Sequence, residues 1–227
     1  MSLIRQSVQF DKKLLDSDAL KIVKKLDKSG YEAYLVGGCI RDLLLGYAPK
    51  DFDIATNATP EQIQKIFKRS RIIGRRFKLV HIMFSARKFI EVATFRSSKT
   101  NPTSTKGMVL RDNFYGSLKD DVFRRDFTIN GLYFDVKNSQ VLDYVQGLED
   151  LKKLQINMIG HPSERFEEDP VRMIRAVRFK AKLNAAINSN LNKSIKENAH
   201  LIANVPPARL YEEVIKLFHN ENSLEVF

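Results

Sequence analysis

Residues Tyr34 to Thr56 read YLVGGCIRDLLLGYAPKDFDIAT. An apolar run, Tyr34-Leu35-Val36, ends in Gly37-Gly38. A short amphipathic segment, Cys39 to Leu45, carries Arg41-Asp42, and Asp51-Phe52-Asp53 then leads into Ile54-Ala55. The first part predicts strand, glycine turn and helix N-terminus. Glycines there let the backbone approach a phosphate, and free helix N–H groups can bind it. The last part predicts a strand with Asp51 and Asp53 on one face, because strand side chains alternate with period two. Two carboxylates near a phosphate cradle suit Mg²⁺, which takes oxygen ligands and shares them with substrate phosphates. Each piece alone also reads as a plain turn or a solvated loop. The combination, with 13 residues from Gly38 to Asp51, says more, and the G-x-G-x-x-G spacing of dinucleotide sites is absent. The expectation is metal-dependent nucleotidyl transfer.

Outward from this stretch, charge is unevenly spread. The 227-residue chain has net charge +11; residues 1–159 hold 28 Lys/Arg against 18 Asp/Glu, residues 160–227 hold 10 against 9. Between Lys65 and Arg111 there are 13 basic residues and one acid, Glu91. Such a stripe is the footprint of a polyanion partner, or else a solvated basic face. A hydrophobic content of 43% supports a real core, and the length suits one large domain or two small ones. No apolar run approaches the roughly 18 residues of a membrane span, and no secretory leader opens the chain. No membrane partner and a cytoplasmic location are therefore expected. The lone Cys39 excludes an internal disulfide, and with four scattered histidines a zinc site is not expected. Cys39 reads as a small buried residue, since no base lies in its motif.

Periodicity predicts an α+β fold, mixed α/β over residues 1–160 and all-helical over 161–227. Residues 1–13 read as a polar arm. Helices are predicted over Asp16–Lys28 and from Thr59, where threonine caps, Pro60 takes the first position and Gln62 can complete a capping box. Strands are predicted over Tyr31–Val36, Leu79–Phe84 and Lys88–Phe95, with a turn at Ser85–Arg87. Glu91 sits on the last of these with Phe89, Ala93 and Phe95. It either joins Asp51 and Asp53 as a third metal-facing carboxylate or is an edge-strand charge facing solvent. Ser97–Gly107 reads as a mobile loop. Leu118–Arg125 and Gly147–Lys153 read as a short helix and a helical turn, and Phe127–Val136 and Gln140–Val145 as apolar segments, the first with strand character in its latter half. Pro170–Leu183, Asn188–Asn198 and Pro206–Phe218 read as helices, the first with Val171, Ile174, Val177, Phe179 and Leu183 inward. The chain stops at Phe227 inside what reads as a further helix, as if cut.

Two more clusters carry chemistry. Arg124-Arg125-Asp126 precedes an apolar run. The arginines can hold triphosphate oxygens bidentately, and Asp126 can accept from a ribose hydroxyl or help a metal site. The alternative is a helix C-terminus neutralised by arginines. Glu167-Glu168-Asp169-Pro170-Val171-Arg172 is read as opening the long helix. Arg172 and Arg175 share a face, and a carboxylate with an arginine one turn away can read a base edge or merely support a helix.

In order, these motifs are Gly37-Gly38-x-x-Arg41-Asp42, Asp51-x-Asp53, Glu91-Val92-Ala93-Thr94-Phe95-Arg96, Arg124-Arg125-Asp126-Phe127-Thr128-Ile129-Asn130 and Glu168-Asp169-Pro170-x-Arg172-x-x-Arg175. Across about residues 30–220 they resemble the class II polymerase-β-like nucleotidyltransferases, which comprise bacterial poly(A) polymerases and CCA-adding tRNA nucleotidyltransferases. Ile73-Gly74-Arg75-Arg76-Phe77-Lys78-Leu79-Val80-His81-Ile82 looks like the poly(A) polymerase signature. The resemblance implies a polymerase-β-like head followed by a helical neck, with ATP as substrate, RNA 3′ ends as partner and two Mg²⁺ ions. It implies Asp51 and Asp53 as metal ligands with Asp126 linked to the active site, Glu91 being the further structural candidate. Gly37, Gly38, Arg41, Arg124 and Arg125 are implied at the nucleotide, with Arg125 or Asp126 on the ribose. Glu168, Asp169, Arg172 and Arg175 are implied as the template that selects the base. The basic stripe, with Arg75, Arg76 and Lys78, is expected to hold RNA, and the chain to be a monomer acting in mRNA processing. Two departures stand out: Cys39 replaces a usually non-thiol residue, raising sensitivity to oxidation, and the chain stops before the body and RNA-binding regions. Competing readings are a CCA-adding enzyme and a truncated RNA-binding module without turnover.

Overall fold

The computed structural model describes residues 2–74, 78–97 and 115–219. Eight strands form one mixed sheet: β1 (Ile4–Ser7), β2 (Ala33–Val36), β3 (Asp53–Thr56), β4 (Ser70–Ile73), β5 (Leu79–Met83), β6 (Phe89–Thr94), β7 (Leu132–Asp135) and β8 (Gln140–Asp143). Their spatial order is β1-β8-β7-β2-β3-β6-β5-β4. Strands β3 and β6 run parallel, and the other neighbours are antiparallel.

Alternation decides the faces. In β5 and β6, Val80 lies opposite Val92 and Ile82 opposite Ile90, all four buried. The intervening His81, Met83, Phe89 and Glu91 are half-buried or exposed. One side of this part of the sheet is therefore core and the other is open. Helix α1 (Ser17–Lys28) packs against β2 and β3 and buries Ala19, Ile22, Val23 and Leu26. The Asp16 carboxylate caps it, accepting from the Asp18 and Ala19 amides. The short helix α2 (Gly38–Leu44) follows β2. Helix α3 (Pro60–Ile66) starts on the predicted capping box: Thr59 accepts from the Gln62 amide, and Gln62 accepts from the Thr59 amide. Helix α4 (Leu118–Phe123) opens on a second box, Ser117 with Asp120.

Packing divides the described chain into two units. One holds the residues up to 97 together with 115–125 and 130–145; the other holds 126–129 and 146–219. The second unit is mostly helical: α5 (Gly147–Lys152), α6 (Pro162–Glu168), α7 (Val171–Leu183), α8 (Ser189–Asn198) and α9 (Pro207–Phe218). Helix α7 packs on α9, and α6 on α8. A short parallel pair, β9 (Gln155–Ile156) with β10 (Ala186–Ile187), adds strand to this helical part. Phe127 is fully buried and meets Phe179 edge-on, ring centroids 5.6 Å apart.

Some expectations are corrected. The predicted arm contains strand β1, whose four residues are all exposed and which backbone pairing with β8 alone defines. Strand β4 was not foreseen either. Glu167 and Glu168 close α6 and Asp169 caps its end, whereas α7 begins only at Val171. The apolar face of α7 buries Met173 and Ala176, while Ile174 and Val177 are half-buried. No described helix is long and apolar enough to cross a membrane. Arg75, Arg76, most of the Ser97–Gly107 segment and the chain end at Phe227 lie outside the described residues.

Candidate active site

In the first unit, Asp53 opens β3 with Val36 of β2 opposite it on one side and Glu91 of β6 opposite it on the other. Directly paired residues share a face, so Asp53 and Glu91 project together, and the exposed Asp51 lies two residues before. Solvent reaches Asp53, yet protein surrounds it. That crowding, reinforced by the charges of Glu91 and Asp51, pushes its carboxyl up to about 6, with Arg125 opposing. Glu91 is also held by His81, whose Nε2 lies 3.1 Å from Oε1.

Burial is the largest cause of that rise, and the negative charges of Glu91 and Asp51 add to it without enough neutralisation. A divalent cation would supply it, and the donors are the oxygens Mg²⁺ prefers. Among the described residues no three candidate ligands converge into a closed cage. Mg²⁺ does not need one, since it is commonly bound by one or two carboxylates with water and substrate phosphates completing the shell. The residues present therefore fit the ion.

The glycine turn lies one strand away. Gly37 has φ +78° and ψ −130°, a backbone conformation that side chains disfavour, and its N–H donates to Leu132 O at 3.2 Å. A Cβ at Gly37 would stand 3.5 Å from Arg125 Nη1, so this turn and that guanidinium are in contact range. Helix α2 begins at Gly38. Arg41, only 3% exposed, is turned into the wall: Nη1 donates to Asn130 Oδ1 at 2.7 Å and Nε to Asp42 Oδ1 at 2.8 Å.

A residue the sequence reading passed over organises the arginines. Asp121, 2% exposed on α4, accepts from Arg124 Nε at 2.9 Å, from Arg125 Nη2 at 3.1 Å and from the Arg96 amide at 3.1 Å. The Tyr133 hydroxyl donates to Oδ2 at 2.5 Å, the oxygen that also accepts from Arg125, and Arg125 Nε donates to that hydroxyl at 2.6 Å. Burial alone would raise the Asp121 carboxyl, but the Arg125 and Arg124 guanidiniums outweigh it and hold the group far below the usual carboxylate range. The signal was available, because Asp121 stands three and four positions before the two arginines on one helix face.

The remaining predicted residues belong to the second unit. Asp126 accepts from its neighbour Phe127 N–H at 2.8 Å and pairs with Arg175, whose Nε donates to Oδ2 at 2.7 Å. Arg175 also reaches Glu213 on α9, which pairs with Arg178 at 2.9 Å. Arg172 Nη1 donates to Glu168 Oε2 at 2.8 Å and to Arg165 O at 2.6 Å. Asp169 Oδ2 accepts from Arg209 at 2.9 Å, while its Oδ1 is buried with no hydrogen-bond partner among the described residues. That oxygen is a buried acceptor at the end of α6.

Outside these sets, Cys39 is buried, its Sγ donates to Val36 O, and burial pushes the thiol up to about 12. It is protected from oxidation, against the expectation. Lys78, one of the predicted RNA contacts, is engaged with Glu61 at 3.0 Å.

Comparison with known proteins points one way. The family model described as "Poly A polymerase head domain" matches residues 33–157, and that described as "Probable RNA and SrmB- binding site of polymerase A" matches residues 185–227. The chain is 49% identical over 231 residues to Poly(A) polymerase I of Salmonella typhi, covering 98% of this chain and 50% of that protein. It is 38% identical over 204 residues to a CCA-adding enzyme of Ligilactobacillus salivarius, covering 90% of this chain and 50% of that one. The chain thus spans about half the length of the curated relatives it matches. Its fold resembles the Bacillus stearothermophilus CCA-adding enzyme in complex with CTP, with TM-score 0.80, 34% identity, and 92% of this chain and 49% of that one covered. With the head model spanning the glycine turn, the carboxylates and the Asp121 arginines, the chain belongs to the poly A polymerase head domain family.

Proposed function

We propose that this chain carries the catalytic and nucleotide-selecting part of a template-independent RNA nucleotidyltransferase. It transfers AMP from ATP to RNA 3′ ends with two Mg²⁺ ions and releases pyrophosphate. The observation that carries the reading is Asp53, a carboxylate raised by crowding and by Glu91 and Asp51, one strand from a glycine turn lined by Arg125. The choice of ATP draws on the 49% identity to poly(A) polymerase I.

The 3′-hydroxyl oxygen of the RNA attacks the α-phosphorus of ATP. A new P–O bond forms as the hydroxyl proton passes to water, the bond between the α-phosphorus and the oxygen bridging to the β-phosphate breaks, and pyrophosphate leaves with that electron pair. Asp51 and Asp53 would hold the metal ions, with water and triphosphate oxygens completing the shell, and Glu91, opposite Asp53 in the sheet, would add negative charge beside them. Bound there, Mg²⁺ would lower the pKa of the attacking hydroxyl and neutralise the triphosphate. The bare backbone at Gly37-Gly38 admits the phosphates, and Arg125 orients them while Asp121 and Tyr133 fix its guanidinium. In the second unit, Asp169 and Arg172 are the residues assigned to the base edge, a carboxylate that accepts and a guanidinium that donates. Asp126 positions Arg175.

A second reading, addition of CTP and ATP to tRNA, is favoured by the fold resemblance to CCA-adding enzymes. Extension of a labelled single-stranded RNA by the purified chain with Mg²⁺ and each NTP separately decides between them. A long ladder with ATP alone is expected, and none from Asp53→Asn. Short additions requiring CTP would move the chain to the tRNA branch. ATP binding without extension would make it a binding module that needs the rest of its relatives' length for turnover.

A further inference from the structure

The register of the sheet places four side chains in one row. Arg71 of β4 lies opposite His81 of β5, His81 opposite Glu91 of β6, and Glu91 opposite Asp53 of β3. Directly opposed residues project from the same face, and this is the open face. The row spans three strand spacings, roughly 14 Å. Its acidic end is the candidate metal site, and its other end is a cation that forms no ion pair among the described residues. Phe89 shares this face by alternation with Glu91. Its ring is 45% exposed although it is a large apolar group, and the His81 ring stacks on one side of it, centroids 4.2 Å apart and planes 11° apart. His81 in turn contacts Glu91. An exposed phenylalanine ring backed by a half-buried histidine beside an arginine, continuous with a carboxylate cluster, has the chemistry of a single-strand platform: a base stacks on the ring and a phosphate meets the cation.

We propose that the open face of β4, β5 and β6 carries the single-stranded RNA immediately upstream of its 3′ end, with a base stacked on Phe89–His81 and a phosphate held by Arg71. The occupant follows from charge and shape. The segment from Lys65 to Arg111 has 13 basic residues and one acid, so a polyanion is drawn there. A duplex would present no free base to the Phe89 ring. The proposal rests on the nucleotidyl-transfer reading for its polarity, the 3′ end lying at Asp53, and not for the binding itself.

The test is anisotropy of a labelled single-stranded oligoadenylate with the intact 227-residue chain, alongside an RNA hairpin of equal charge without overhangs. Phe89→Ala is expected to weaken single-strand binding roughly tenfold, and Phe89→Tyr to restore it, with hairpin binding unchanged. Arg71→Ala is expected to reduce the slope of log affinity against log salt by about 0.7. In extension assays both alanine variants should raise KM for the primer and leave KM for ATP unchanged. Wild-type single-strand affinity in folded Phe89→Ala and Arg71→Ala, equal losses for strand and hairpin, or no RNA binding by the wild-type chain would each overturn the platform. A wild-type chain that binds RNA but extends nothing would count against the transferase reading, and the variants' binding would still decide the platform.

Discussion

At the residue scale, Asp53 sets a conflict between stability and chemistry. Its folded pKa lies above the ordinary aspartate value, so the folded chain binds a proton that the unfolded chain has already lost. Its contribution is therefore most favourable below the unfolded pKa and is lost as pH rises toward about 6. Without metal, Asp53→Asn should raise the unfolding midpoint at neutral pH by the equivalent of about 1 kcal/mol, a modest gain because solvent reaches the group. The difference should vanish near pH 4 in a thermal melt series. A variant less stable than wild type at neutral pH would show that Asp53 is not repelled by its neighbours. Asp121 has the opposite sign. Its depressed pKa contributes stability above the ordinary carboxylate range, lost on acidification below it. Asp121→Asn should cost about 3 kcal/mol in urea unfolding, since two guanidiniums lose their buried partner, and should raise KM for ATP by loosening Arg125. Asp53 was legible because an alternating acid pair before an apolar strand is a local pattern. Asp121 carried a local signal in its i,i+3 and i,i+4 spacing to the arginines, but the contacts with Tyr133 and the Arg96 amide that complete its role are distant in sequence.

At the element scale, the turn between β2 and α2 depends on one backbone conformation. Gly37→Ala would force a side chain into a region costing about 1–3 kcal/mol and place its Cβ against Arg125 Nη1. Urea unfolding of Gly37→Ala should show a loss in that range, with wild-type stability overturning the strain argument; Gly30→Ala, at φ +86° but with no neighbouring atom, should show the backbone cost alone. The β5–β6 hairpin and the Thr59 start of α3 were readable because alternation and capping chemistry are local. Strand β1 was not, because all four of its residues face solvent and no hydrophobic period marks it. The acids at 167–169 misled for a related reason. Carboxylates are expected at a helix N-terminus, yet Glu168 sits at the end of α6, where Arg165 and Arg172 neutralise it.

At the scale of the whole molecule, the surplus of cations is a property of the first 159 residues, 28 against 18, and not of the remainder, 10 against 9. Affinity for single-stranded RNA should therefore fall roughly tenfold or more between about 50 and about 200 mM salt. A flat salt response in a filter-binding titration would mean that the stripe is only a solvated face. Composition made this charge asymmetry legible, but the direction of the cations was not, since Lys78 and Lys88 are engaged by Glu61, Asp16 and Asp18. The chain also has a single thiol, Cys39, buried and with its pKa near 12. It should stay silent toward maleimides at neutral pH. Any cysteine added on the surface then becomes the one labelled position without prior removal of the native residue, and a fluorophore on Ala86→Cys, exposed in the turn between β5 and β6, would report RNA arriving at the adjoining open face while leaving Phe89 in place.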